Sequence, residues 1–226
     1  MMYCVLRMRA TGVLLLALVA IQSYTPVDAH RYGHRYFNRY FRPHRRCVLQ
    51  TVNAVCRVAA DPGITDPVSG TIRLSQTLNY CTQRLSPLTI DLDLQGFSTT
   101  DTVVLHGFHA HALGDLSNGC ASLGGHFNPF GTNHGDRTSP VRHAGDFGNI
   151  MEQADGTVNT TITDTVARLF GTNSLIGRSL VIHAGTDDLG LGGNAGSVAS
   201  GNSGPRVGCC VIGRGQNPPR TVVWGK

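Results

Sequence analysis

From Cys47 onward the chain is cut into apolar runs too short for anything but strands. Residues 51–58, 70–75, 89–94, 103–111, 157–163, 179–183 and 207–212 are rich in Val, Ile, Leu and Thr, and clusters of Gly, Pro, Asn and Asp separate them. Thr89-Ile90-Asp91-Leu92-Asp93-Leu94 alternates polar with apolar, the period of a strand buried on one face. The pattern predicts an all-β domain over residues 47–226. Two long intervals, 112–156 and 184–206, are too rich in glycine for helices of ordinary length. Stretches of that size in a packed domain are as a rule functional.

The first 46 residues read differently. Arg7 and Arg9 precede an apolar run over residues 11–21, and Val27-Asp28-Ala29 offers the small residues a signal peptidase accepts. The run is too short for a bilayer core of about 30 Å, so residues 1–29 read as a secretory signal peptide and the chain as secreted and extracellular. No other segment is long and apolar enough to form a membrane span. Cleavage removes Cys4 and leaves Cys47, Cys56, Cys81, Cys120, Cys209 and Cys210, an even set that in a secreted chain reads as disulfides. Asn159-Thr160-Thr161 is a glycosylation sequon at Asn159.

Residues 30–46 lack aliphatic side chains and alternate basic with aromatic ones. The positive charge of the chain, +5 overall, is concentrated here: Arg31, Arg35, Arg39, Arg42, Arg45 and Arg46, with no acid among them, give this segment +6. Such a segment cannot bury a core and reads as a flexible appendage. Guanidinium groups interleaved with Tyr32, Tyr36, Phe37, Tyr40 and Phe41 suit a sulfated polysaccharide or another extracellular polyanion.

The chemistry lies in and beside the two glycine-rich intervals. His109 and His111 are two apart on a predicted strand, so both side chains leave one face and one metal can take nitrogen from each. His126, His134, His143 and Asp146 follow in the first interval, and His183 ends a later strand. Imidazole suits copper and zinc, and a lone carboxylate among imidazoles suits zinc.

His106-Gly107-Phe108-His109-Ala110-His111, Gly125-His126-Phe127-Asn128-Pro129 and Arg142-His143-Ala144-Gly145-Asp146-Phe147-Gly148-Asn149 occur in order. They are followed by Ile176-Gly177-Arg178-Ser179-Leu180-Val181-Ile182-His183, Asp187-Asp188-Leu189-Gly190, Gly201-Asn202-Ser203-Gly204-Pro205-Arg206 and Val211-Ile212-Gly213. Together these motifs resemble the copper,zinc superoxide dismutases over roughly residues 50–213. The resemblance implies an eight-stranded Greek-key flattened β-barrel, an immunoglobulin-like sandwich with two long active-site loops. It implies copper on His109, His111, His126 and His183, and zinc on His126, His134, His143 and Asp146, with His126 bridging the two. It makes Asp187 the carboxylate that hydrogen-bonds His109 and His134 behind the ligands, and Arg206 the cation that attracts superoxide. The implied reaction converts superoxide to O₂ and H₂O₂ as copper is alternately reduced and re-oxidised, with His126 taking up a proton.

The same resemblance pairs Cys120 with Cys209. In its extracellular members, which the adjacent Cys210 suggests, the second cysteine pairs with one on the first strand, here Cys56. Cys47 and Cys81 are left and are paired by elimination; because Cys209 and Cys210 are neighbours, an exchanged connectivity stays open. A homodimer or other homo-oligomer is expected, although Arg214 stands where cytosolic members have an apolar interface residue. In the second interval, residues 191–199 lack the charged residues credited with guiding superoxide, so long-range steering should be weak. The alternative reading is a secreted metal-binding or matrix-associated protein on the same fold with little enzymatic role.

Overall fold

The computed structural model describes residues 46–64, 67–100 and 104–224; residues 1–29, expected to be a secretory signal, and all of the basic segment except Arg46 lie outside them. Among the described residues twelve strands run in chain order: β1 (Arg46–Ala60), β2 (Ser69–Asn79), β3 (Arg84–Leu85), β4 (Leu88–Gln95), β5 (Leu105–His111), β6 (Ser117–Cys120), β7 (Asp146–Met151), β8 (Thr157–Asp164), β9 (Ser179–His183), β10 (Arg206–Val211), β11 (Gly213–Arg214) and β12 (Thr221–Trp224). One short helix, α1 (Ala195–Ser200), lies in the second glycine-rich interval.

Eight strands form an antiparallel path in the order β7-β5-β9-β10-β1-β2-β4-β8. Its two end strands, β7 and β8, are joined by a tight turn in which Gly156 N–H donates to the Gln153 carbonyl at 2.9 Å. The path therefore bends round into a nearly closed barrel, and the crossings from β4 to β5 and from β8 to β9 make it a Greek key. Closure matters because open edges would leave backbone donors and acceptors unpaired.

The core follows from the period of two. Along β4, Leu88, Ile90, Leu92 and Leu94 are buried while Asp91, Asp93 and Gln95 face solvent. They meet Ile72 and Leu74 of β2, Phe108 of β5, Phe147 and Ile150 of β7 and Leu180 and Ile182 of β9 in one apolar cluster. Burying each such side chain contributes about 1.5–3 kcal/mol.

All seven anticipated runs are strands, and the structure adds to them. The first interval contains β7, which pairs with β5 from Leu105↔Met151 to His109↔Asp146. β1 extends back to Arg46, the last residue of the basic segment. There β12 pairs with it from Arg46↔Trp224 to Leu49↔Thr221, and the Arg46 guanidinium lies 4.8 Å from the Trp224 ring. The second interval is not wholly irregular either: α1 is brief because it has glycine at its end, but Asn194 caps it by accepting from Ser197 N–H at 2.9 Å.

Candidate metal centre

β5 sorts its side chains by parity. Phe108 and Ala110 enter the core, while His109 and His111 leave the opposite face and are covered by the glycine-rich loops. The loop after β5 returns along it: Phe127 N–H donates to the Ala110 carbonyl at 2.8 Å, and Ala110 N–H to the Gly145 carbonyl at 2.8 Å. This stitching sets His126 opposite His111. Gly145 is required here, because a Cβ would lie 2.3 Å from the Ala110 carbonyl oxygen. Asp146 then opens β7 directly opposite His109.

Two groups of four donors result, and His126 belongs to both. His109, His111, His126 and His183 form one; His126, His134, His143 and Asp146 form the other. Four of the rings are each oriented by a partner on the far side. His111 Nδ1–H donates to the Gly124 carbonyl at 2.8 Å, and His183 Nδ1–H to the Gly204 carbonyl at 3.0 Å. Carbonyls only accept, so the Nε2 of each ring keeps its lone pair. Asp187 divides its oxygens, accepting from His109 Nε2 at 2.9 Å and His134 Nε2 at 2.8 Å. That leaves His109 and His134 with bare Nδ1 atoms.

The atoms so exposed fit metal ions. His109 Nδ1, His111 Nε2, His126 Nε2 and His183 Nε2 are all buried without a hydrogen-bond partner. Four orphaned lone pairs converging in one place are costly unless a cation receives them. In the second group, Asp146 Oδ1 lies 2.9, 3.0 and 3.1 Å from Nδ1 of His126, His134 and His143. A neutral His134 whose Nε2 serves Asp187 has no proton at Nδ1, so the crowding around Asp146 is relieved either by a second proton on that ring or by a cation. Three nitrogens and one carboxylate oxygen suit zinc; four imidazoles suit copper.

The electrostatics differ between the groups. Burial, aided by the charges of neighbouring groups, pulls His109 down to about 3 and His183 to about 4, so both rings stay neutral and ready to coordinate. At His134 burial also acts downward, but hydrogen bonds to the Asp146 and Asp187 carboxylates outweigh it and raise the ring to about 9. Burial would raise Asp187, yet the hydrogen bonds from His109 and His134 hold it well below the usual carboxylate range.

Arg206 begins β10 opposite His183. Its Nη1 donates to the Cys120 carbonyl and its Nη2 to the Gly124 carbonyl at 2.6 Å. Its charge helps depress both His111 and His183, which places it at the first group's side. Disulfides join Cys120 to Cys209, Cys56 to Cys210 and Cys47 to Cys81. The first couples the segment that receives Arg206 to the strand that carries it.

A cleft of about 580 Å³ opens on His126 and His143. Asn128, Thr132 and Asn133 wall one side and Ala195, Val198 and Ala199 the other, so its walls bear no full charge.

Three supporting residues escaped sequence reasoning. Asn149 clamps the Asp187 backbone, accepting from its N–H at 2.7 Å and donating to its carbonyl at 2.9 Å. Gly201 ends α1 at φ +71°, where a Cβ would stand 1.8 Å from Asp187 Oδ1. Arg142 is buried, pairs with Asp164 and donates to the carbonyls of His143 and Asp146 at 3.1 and 3.0 Å. Asn149 and Arg142 flank the ligands in one motif, which was the available signal; that of Gly201 was its place two residues before Ser203-Gly204.

Comparison with known proteins agrees with this geometry. The family model described as copper/zinc superoxide dismutase matches residues 68–212. The chain is 48% identical over 165 residues to a Cu-Zn superoxide dismutase of Neurospora crassa, covering 73% of this chain and 99% of that relative. It is 43% identical over 163 residues to one of Paramecium bursaria Chlorella virus 1, covering 72% and 82%. A third, from Schizosaccharomyces pombe, is 48% identical over 146 residues, covering 65% and 90%.

Proposed function

The chain belongs to the copper/zinc superoxide dismutase family, with copper and zinc as its cofactors and superoxide as its substrate, and from that premise we propose an extracellular dismutase whose two metals share His126. In this reading copper is held by His109, His111, His126 and His183, and zinc by His126, His134, His143 and Asp146. The observation that carries it is the convergence of four buried, partnerless ring nitrogens.

Copper held by these residues would supply one-electron redox chemistry, by which one superoxide is oxidised to O₂ and a second, with two protons, is reduced to H₂O₂. The chain's own residues do the rest. Arg206 holds a fixed positive charge beside His111 and His183, where an anion must arrive. Nε2 of His126 faces the copper group and is the atom at which the chain can hold a proton. Asp187 fixes one ring of each group, so the two metals are oriented by a single carboxylate.

Secretion is supported by three disulfides, which persist in oxidising compartments, and by the targeting pattern of residues 1–29. Among the described residues no helix is long and apolar enough to cross a membrane. Residues 30–46 would bind an extracellular polyanion, Asn159 on the exposed face of β8 would carry a glycan, and the enzyme would work as a homodimer or other homo-oligomer. Arg214 is exposed in β11, which leaves it free to shape that contact.

The test is to secrete the protein from a eukaryotic host, load it with copper and zinc, and measure superoxide removal. Loss of copper, with zinc retained, in His111→Ala and His183→Ala variants is the expected result. Full copper retention in both would overturn the ligand assignment. Heparin-column retention that survives deletion of residues 30–46 would dismiss the polyanion role.

A further inference from the structure

β9 ends at His183, and its ladder with β5 ends one residue earlier at Phe108↔Ile182. Beyond that point a side chain meets the His183 carbonyl: His106 Nδ1 lies 3.0 Å away. A carbonyl can only accept, so Nδ1 carries a proton. On the other edge of the same ring, Nε2 lies 2.9 Å from Glu152 Oε2. A neutral ring protonated at Nδ1 has only a lone pair at Nε2, and an ionised carboxylate has only lone pairs. One further proton must therefore lie between Nε2 and Oε2.

This pair is sealed from water. The His106 and Glu152 side chains are 9% and 6% exposed, and the Phe97 ring covers His106 at 4.8 Å between centroids. Glu152 is also fixed in place, since its N–H donates to the Val104 carbonyl at 2.9 Å at the start of the turn into β8. A held carboxylate thus orients a ring, and the ring holds the backbone of His183. His183 in turn has its Nδ1 tied to Gly204 and only Nε2 free to face the copper group.

We propose that Glu152 is a positioning residue for His183, acting through the imidazole of His106. The inference rests on the reading of His183 as a copper ligand. Among the described residues no hydrogen bond joins a zinc-group side chain to His106 or Glu152, so removing the carboxylate should act mainly on copper. Outer carboxylates that orient metal-bound histidines typically change affinity about 10- to 100-fold when removed; acting through one more residue, Glu152 belongs at the lower end.

The experiment compares wild type, Glu152→Leu, Glu152→Gln and His183→Ala as full-length secreted proteins loaded with both metals. Copper and zinc affinities are measured by competition with chelators, and copper(II) by EPR. Glu152→Leu is expected to lose about tenfold in copper affinity and shift the copper hyperfine coupling, with zinc affinity unchanged. Glu152→Gln, whose amide can donate to Nε2 of a neutral ring, should restore both readouts. In the diamagnetic copper(I)/zinc protein, ¹⁵N NMR of wild type should show a protected proton on His106 Nδ1, a readout that holds even if Glu152→Leu does not fold. A wild-type-like EPR spectrum in Glu152→Leu, equal loss of both metals, or an unprotected Nδ1 would overturn the proposal. Copper retained with an unchanged spectrum in His183→Ala would instead overturn the ligand assignment beneath it.

Discussion

His111 and Arg206 hydrogen-bond to one and the same acceptor, the Gly124 carbonyl, at 2.8 and 2.6 Å. Ring orientation on the copper side and the position of the guiding cation are thereby fixed by a single peptide group. Arg206→Ala should lower kcat/KM for superoxide about 10- to 100-fold by removing the attracting charge, while copper content stays near wild type. Arg206→Lys should recover part of the rate, since it restores the charge but not the fork that reaches Cys120 and Gly124 together. Pulse radiolysis alongside metal analysis checks both; a large copper loss in Arg206→Ala would show that the arginine serves mainly to hold His111.

Gly201 has no room for a side chain. A Cβ there would overlap the Asp187 carboxylate and lie 2.6 Å from His134 Nε2, and the backbone is left-handed at φ +71°. The left-handed conformation alone costs an alanine roughly 1–2 kcal/mol. Gly201→Ala should also push Asp187 off His134, so zinc content should fall before the fold is lost. Zinc analysis and thermal unfolding with and without added metal measure the two effects separately.

The Cys120–Cys209 bridge closes 89 residues and underlies the Arg206 acceptors, whereas Cys47–Cys81 closes 34 residues at the far end of β1. Replacing either pair with serine should cost about 2–5 kcal/mol of stability. Only loss of Cys120–Cys209 should reduce activity by more than its effect on stability explains. Denaturant unfolding paired with kcat/KM at a fully native temperature separates the two pairs.

The cleft walls bear no full charge, and residues 191–199 contribute none. The rate should therefore fall by less than about threefold between low and physiological ionic strength, because the second loop adds no charge to that of Arg206. Val198→Lys should raise the low-salt rate and steepen its salt dependence, and Val198→Glu should lower it. Rate constants over a salt series decide this.

Much of the fold was legible because strands announce themselves. The alternation in β4 and the β-branched runs of β1, β2, β8 and β9 follow from burying one face of a pleated chain. β7 was not legible: Phe147 and Ile150 are its only deeply buried apolar residues, Gly148 sits at φ +76°, and its strand character comes from pairing with β5. β12 offered a signal in Thr221-Val222-Val223-Trp224, but its partner is an extension of β1 that the basic composition up to Arg46 disguised.

The sequence by itself determined the donor types, their grouping on and beside a few strands, and the β class, because these depend on residue chemistry and a period of two. Tertiary structure decided what those donors do: which nitrogen of each ring is free, that Asp187 serves two histidines, and that His106 joins Glu152 to His183. A hydrogen bond between residues 46 or 78 positions apart leaves no trace in local spacing. It exists only once the barrel has closed and the loops have been laid across its face.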